Sequence, residues 1–155
     1  MQIKNHTRYT ITVHHGHSLR YTVNEPNGNT NFVSPATKPG SKIYLISLDG
    51  RLHYVGFTKQ GMASRINAGL KAEGAHGYHG YKWKDLKRPL TLDVFCLDGN
   101  RVSDGYLEAI EAEIAFLCRA KTEQWPLSQT EIHFQQSRVT HRELAKEIFE
   151  RVKVG

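Results

Sequence analysis

The chain has 155 residues, a formal charge of +6 and a pI near 9.4, which is room for one domain with a real core and a charge balance suited to a phosphate-rich partner. No apolar run nears the roughly 18 residues needed to span a bilayer, and the opening MQIKNHTRYT lacks the apolar centre of a signal peptide, so no membrane partner and a cytoplasmic location are expected. Cys96 and Cys118 fall in apolar segments and read as free thiols in a reducing compartment.

Residues 8–23 alternate, with Tyr9, Ile11 and Val13 on one face and Thr10, Thr12 and His14 on the other. Leu19–Val23 follows after a short turn, so a first hairpin is expected. His14, His15 and His17 lack a partner set with zinc-finger spacing and read as ordinary turn residues. Residues 24–40 are rich in Asn, Pro, Gly and Ser and form a loop, so residues 1–40 read as a β extension preceding a domain over 41–155.

The stretch 42–58, KIYLISLDGRLHYVGFT, holds two β-branched and aromatic runs about Asp49-Gly50, a strong hairpin signal. A two-residue loop would place Leu48 opposite Arg51 and set Tyr44 and Tyr54 on opposite faces. A three-residue loop, Leu48-Asp49-Gly50, would set the two tyrosines directly opposite each other, and this is the register expected. Met62, Ile66 and Leu70 then have helical spacing, with Arg65 on the same short helix. Gly69, one turn on, leaves room beside Arg65 for a phosphate or for tight packing.

Residues 74–88, GAHGYHGYKWKDLKR, have no period and interleave Tyr78, Tyr81 and Trp83 with His76, His79, Lys82, Lys84, Lys87 and Arg88. Cations with aromatics suit a nucleic-acid groove, and equally a solvated loop with anchoring rings. Leu90–Leu97 reads as a strand closed by Asp98-Gly99-Asn100. Ser103–Ala120 is the strongest helix, with Leu107, Ile110, Ile114, Leu117 and Cys118 in one arc. Glu111 falls inside that arc and Glu113 about 160° from its centre, so Glu111 must be paired, protonated or bound to a cation. Trp125-Pro126 stops this helix, and Thr140-His141-Arg142-Glu143 fits a capping box for a closing helix carrying Leu144, Ala145, Ile148, Phe149 and Val152.

Taken in order, a hairpin with two tyrosines, a helix with an arginine, a basic aromatic segment, a strand and a helix with an inward glutamate resemble the GIY-YIG nuclease family. Lys42-Ile43-Tyr44 and Tyr54-Val55-Gly56 stand where the family's two tripeptides stand. Phe57-Thr58, Arg65-Ile66 and Glu111-Ala112-Glu113-Ile114 fit its continuation, over roughly 42–134. The resemblance implies a small α/β (α+β) domain: a three-stranded, mainly antiparallel sheet flanked by helices, with the N-terminal hairpin as an extension. It also implies a restriction-like or stand-alone DNA endonuclease acting on double-stranded DNA, with a homodimer as a possible assembly. One Mg²⁺ or Mn²⁺ would be held by Glu111, the scissile phosphate by Arg65, and the attacking water by Tyr44 with Tyr54 beside it. Lys42 replaces the family's first glycine. Gly69 replaces its basic or phenolic residue, whose work would pass to His79, Tyr81 or Lys59. Gln129 and Thr130 stand where an asparagine is usual. Nucleic-acid contacts would fall to Lys59, Tyr81, Lys82, Lys84, Lys87 and Arg88. The alternative is the same fold retained for nucleic-acid binding with cleavage weakened or lost.

Overall fold

In a computed structural model of the protein, residues 1–99 and 102–155 are described, so Asn100 of the expected turn lies outside the described residues. The chain is α+β. Strands β1 (Ile3–His14), β2 (Arg20–Asn24), β3 (Lys42–Leu48), β4 (Arg51–Thr58) and β5 (Leu90–Leu97) form one antiparallel sheet in the order β2-β1-β5-β3-β4. Helices α1 (Met62–Lys71), α2 (Asp104–Thr122) and α3 (Val139–Val152) complete it, with single 3₁₀ turns at Ala75–Gly77 and Lys82–Leu86.

The expected three-stranded sheet is therefore corrected to five strands. The N-terminal hairpin is not an appendage: β1 pairs with β5 from Ile3↔Leu97 to Ile11↔Leu90. That pairing joins residues almost ninety positions apart, and the local alternation of 8–23 says nothing about where such a partner lies.

β3 is central and buried along nearly its whole length, because both faces of the sheet are covered. Tyr44 and Ile46 join Tyr9, Ile11, Leu92, Val94, Tyr81 and Trp83 under α1, whose Met62, Ile66 and Leu70 face the sheet. Ile43 and Leu45 join Phe95 and the apolar sides of α2 and α3 on the other face. Ser103 caps α2 by accepting a bond from the Tyr106 amide. Glu123 ends that helix in a left-handed conformation, two residues before Trp125. α3 begins at Val139, so Thr140 lies inside it. The expected capping box is replaced by His141, whose Nδ1 accepts the Arg138 amide at 2.9 Å. Cys96 and Cys118 are both free and belong to opposite faces. Among the described residues, no helix is long and apolar enough to cross a membrane.

The central hairpin departs from the expected register in an instructive way. Leu48 pairs with Arg51, so the loop is the two-residue Asp49-Gly50, with φ of 50° and 73°. Positive φ at both positions is the geometry Asp-Gly supplies in a type I′ turn. The three-residue loop does not form. A two-residue turn alone would still have split the tyrosines, but Ser47 pairs with Leu52 and Ile46 with Tyr54, leaving His53 as an extra bulged residue. The bulge restores the phase, so Tyr44 and Tyr54 lie on one face, two pairs apart in the register, with ring centroids 5.9 Å from each other. His53 is held from outside: its carbonyl accepts the Ser128 amide at 2.7 Å, and its Nδ1 lies 3.1 Å from Ser128 Oγ.

Candidate active site

Gly56 pairs with Tyr44 across the hairpin, and a Cβ there would lie 2.7 Å from the Tyr44 ring, the Tyr44 hydroxyl and the Tyr54 ring. The missing side chain is the space into which both phenols fit. Gly69 on α1 does the same for Tyr81, whose ring would lie 2.0 Å from an added Cβ. The bare helix turn next to Arg65 is thus filled by an aromatic ring, and the phosphate reading of Gly69 is corrected to tight packing.

Three groups then close a chain of hydrogen bonds. Arg65 Nε donates to the Tyr44 hydroxyl oxygen at 2.9 Å. The Tyr44 and Tyr81 hydroxyls are 2.9 Å apart, and the Tyr81 hydroxyl donates to the Arg65 carbonyl at 3.3 Å. With Tyr81 spending its proton on that carbonyl, Tyr44 must donate to Tyr81. Tyr44 and Tyr81 are buried, so their phenols have lost water and stay protonated: burial raises both pKa values, Tyr44 well above its ordinary value. Burial also raises Tyr54 well above the usual phenol range. Two of the arginine's neighbours are thereby fixed as neutral hydrogen-bond partners. The guanidinium also lies 5.7 Å from the Tyr78 ring centroid and 5.6 Å from that of Tyr81. Among the described residues, no hydrogen bond engages its terminal nitrogens, which leaves its planar fork available for a ligand.

Arg65 opens onto a cleft of about 1020 Å³. One wall carries Lys59, Arg65, Tyr78 and His79. The other carries Glu108 and Glu111 from α2 with Gln129, Glu131 and His133, and Tyr54 lies in the cleft between β4 and these elements. The two walls come from opposite faces of the sheet, and they meet because β4 is its edge. Residues 127–129 seal that edge: the Leu127 amide donates to the Leu52 carbonyl at 3.1 Å, and the Gln129 amide group bonds both Val55 N and Val55 O, at 3.0 and 3.1 Å. Gln129 Nε2 also reaches Glu111 Oε1 at 3.5 Å.

That long contact is the one described hydrogen bond to the Glu111 carboxylate, and among the described residues no cation stands within ion-pair distance, so the simple salt bridge to Arg65 does not form. Burial pushes the Glu111 carboxyl up to about 8, against the downward pull of Arg65. A half-buried carboxylate with so little compensation, facing an open cleft, is a donor suited to a hard divalent cation with phosphate and water oxygens as the other ligands. Among the described residues no three His, Cys, Asp or Glu side chains cluster as a ready-made metal cage, so any ion held here relies on Glu111 and non-protein oxygens. Glu113 does not line the cleft.

The expected site residues therefore separate. Tyr54, Arg65, Glu111, His79 and Lys59 line one cleft, Lys59 with its ammonium 2.7 Å from Asp104. Tyr44 does not line it and stands behind Arg65. Tyr81, expected as a nucleic-acid contact, is buried in the core. Lys82, Lys84, Lys87 and Arg88, expected as nucleic-acid contacts, do not line the cleft. Arg88 ends at the hairpin turn, paired with Asp49 at 2.7 Å, and the Lys84 carbonyl contacts His15. Tyr78, Glu108, Glu131 and His133 belong to the cleft without having been singled out. Glu131 and His133 lie in an irregular stretch with no period to flag them, whereas Tyr78 stood in the aromatic segment with no rule to separate it from Tyr81. Lys42, in place of the family's glycine, is buried with its ammonium donating to the carbonyls of Lys38, Gly40 and Gln60 at 2.6, 2.9 and 2.9 Å. It ties the loop before β3 to the end of β4, next to Lys59. No family model, curated protein or solved structure matches the chain.

Proposed function

We propose that the protein is a divalent-metal-dependent nuclease of GIY-YIG type, hydrolysing phosphodiester bonds in DNA. The observation that carries this reading is the convergence, in one cleft, of an arginine with a free fork and a half-buried, nearly uncompensated carboxylate. Arg65 takes the scissile phosphate through two parallel N–H donors, and Tyr44 fixes the guanidinium plane in which those donors lie. The guanidinium then faces charge that grows on the phosphate oxygens as the bond breaks. Glu111 is the residue that would hold Mg²⁺ or Mn²⁺, and the bound ion would supply Lewis-acid stabilisation of that charge. Gln129 restrains the Glu111 carboxylate from the strand edge. Tyr54 stands in the cleft as a neutral phenol that can orient an attacking water by hydrogen bonding. His79 is exposed and lines the same cleft as Arg65, where its imidazole is placed to carry a proton to or from the reacting oxygens. Lys82, Lys84 and Lys87 lie outside the cleft and would meet only nucleic acid that reaches beyond it.

The second reading, a nucleic-acid-binding module without cleavage, is favoured by one specific observation: every phenol of the cluster is pushed away from the anionic form a strong base would need. Incubation of supercoiled plasmid with the purified protein separates the two. Nicking or linearisation that requires Mg²⁺ or Mn²⁺, stops with chelator and is lost in Glu111→Gln supports the nuclease. Salt-sensitive binding with no cleavage under any of these metals supports the module.

A further inference from the structure

The two walls of the cleft differ in charge as well as in origin. The fixed cations Lys59 and Arg65 face four carboxylates, Asp104, Glu108, Glu111 and Glu131, and Lys59 is already paired with Asp104. A duplex brings two phosphate backbones, and the second would lie against the acidic wall, where it is repelled. One backbone alone can run along the Arg65 side.

Tyr78 stands on that side. It lines the cleft, keeps 41% of its surface open and lies beside the Arg65 guanidinium. An exposed tyrosine is normally mobile, but this one sits on a braced loop. Gly74 and Gly77 adopt left-handed conformations, with φ of 96° and 79°. The Gly74 amide donates to the Tyr78 carbonyl at 2.9 Å, and the Tyr78 amide donates to the Ala75 carbonyl at 3.1 Å. A ring held in place next to a phosphate-binding arginine offers a stacking face at little entropic cost.

We propose that Tyr78 is a base-stacking platform and that the cleft admits a nucleotide unpaired from its complement, so that single-stranded or locally unpaired nucleic acid is the preferred ligand over continuous duplex. This rests on the phosphodiester reading of the cleft and deepens it. The base next to the bound phosphate lies on the Tyr78 ring, while its former partner strand is excluded by the acidic wall.

The test uses the full, unsubstituted chain with chelator in place of divalent metal, so that nothing is cut and the acidic wall keeps all its carboxylates. Its ligands are a short single strand with 2-aminopurine at successive positions and the same sequence as a blunt duplex. Binding is read by anisotropy and stacking by quenching of the 2-aminopurine. The single strand is expected to bind about 10-fold more tightly than the duplex. Tyr78→Ala is expected to lose about 10-fold in single-strand affinity together with the quench, and Tyr78→Phe to keep both, in line with stacking contributions of about 1–3 kcal/mol per base. Equal or tighter duplex binding, or an unchanged quench in Tyr78→Ala, overturns the proposal. The loop bonds are made by the Tyr78 backbone and survive either substitution, and thermal melting confirms that both variants are folded. Failure of the nuclease reading shows differently: the parent protein cuts no substrate even though the stacking signature is present.

Discussion

Asp93 and Glu111 are both carboxylates withdrawn from water, and the protein treats them in opposite ways. Asp93 is fully buried on β5, and Arg8 meets it with two bonds, Nε to Oδ1 at 2.9 Å and a terminal nitrogen to Oδ2 at 3.0 Å. His6 adds a third contact at 2.6 Å while stacking on Phe95. Arg8 also donates to the Val152 carbonyl, so the network ties β1, β5 and the end of α3 together. Glu111 has one contact at 3.5 Å and a cleft in front of it. The comparison teaches how to tell a structural charge from a functional one. A carboxylate whose oxygens are all engaged has nothing left to offer a ligand, whereas one left short of partners is a cost in the empty fold that a ligand can relieve.

The sharpest way to break this contrast is at the arginines. Arg65→Ala is expected to lower the cleavage rate by about 10²-fold or more, the usual scale for removing a preorganised donor to developing charge, with a smaller loss of stability than Arg8→Ala because Tyr44 keeps its bond to Tyr81. Arg8→Ala is expected to do the reverse, lowering stability by roughly 3 kcal/mol because Asp93 is left buried without its main partner, while the cleft chemistry of the folded fraction is retained. If both variants lost activity equally at full stability, the distinction would fail.

Gly56→Ala is the next test, since its Cβ would enter the space shared by Tyr44 and Tyr54. Overpacking of this kind costs about 1–3 kcal/mol, measurable by denaturant unfolding. A stability equal to the parent would show that the two rings are not wedged as described.

The smallest expected effect concerns pH. The folded-state pKa of Glu111, about 8, lies above its unfolded value, so the folded state binds the extra proton. The carboxyl therefore costs nothing below its unfolded pKa. It destabilises the fold increasingly as pH rises from there through about 8. Glu111→Gln removes the titration and is expected to be more stable than the parent at pH 8 and no more stable at pH 4. Adding Mg²⁺ at pH 8 is expected to raise the parent's melting temperature and leave that of Glu111→Gln unmoved. For Asp93, closed by Arg8 and His6, no such metal response is expected.

Much of this was legible in the residues. The apolar arc of α2 placed Glu111 inward and Glu113 away because helical phase is a local property. The same phase put Arg65 beside Met62 on α1. The hairpin's existence followed from Asp49-Gly50, but its register did not. The bulge at His53 is met by Ser128, 75 positions further on, whose amide donates to the His53 carbonyl while the Leu127 amide takes that of Leu52. For the same reason the sheet was read too small, since nothing near β1 announces β5. The basic aromatic segment gives no residue-by-residue signal, because an aromatic among lysines can turn inward as readily as outward. Tyr81 turns inward and Tyr78 outward. Gly69 held the missing clue, as a helix position left bare for a ring.

The central claim is that Arg65 and Glu111 serve one phosphodiester. It is tested most directly by a double-mutant cycle in single-turnover cleavage rates, comparing the parent, Arg65→Ala, Glu111→Gln and the double variant, each shown to be folded. Two groups acting as one unit predict that the double variant is no slower than the slower single variant. Losses that multiply independently, or a cleavage rate unaffected by either substitution, would contradict it.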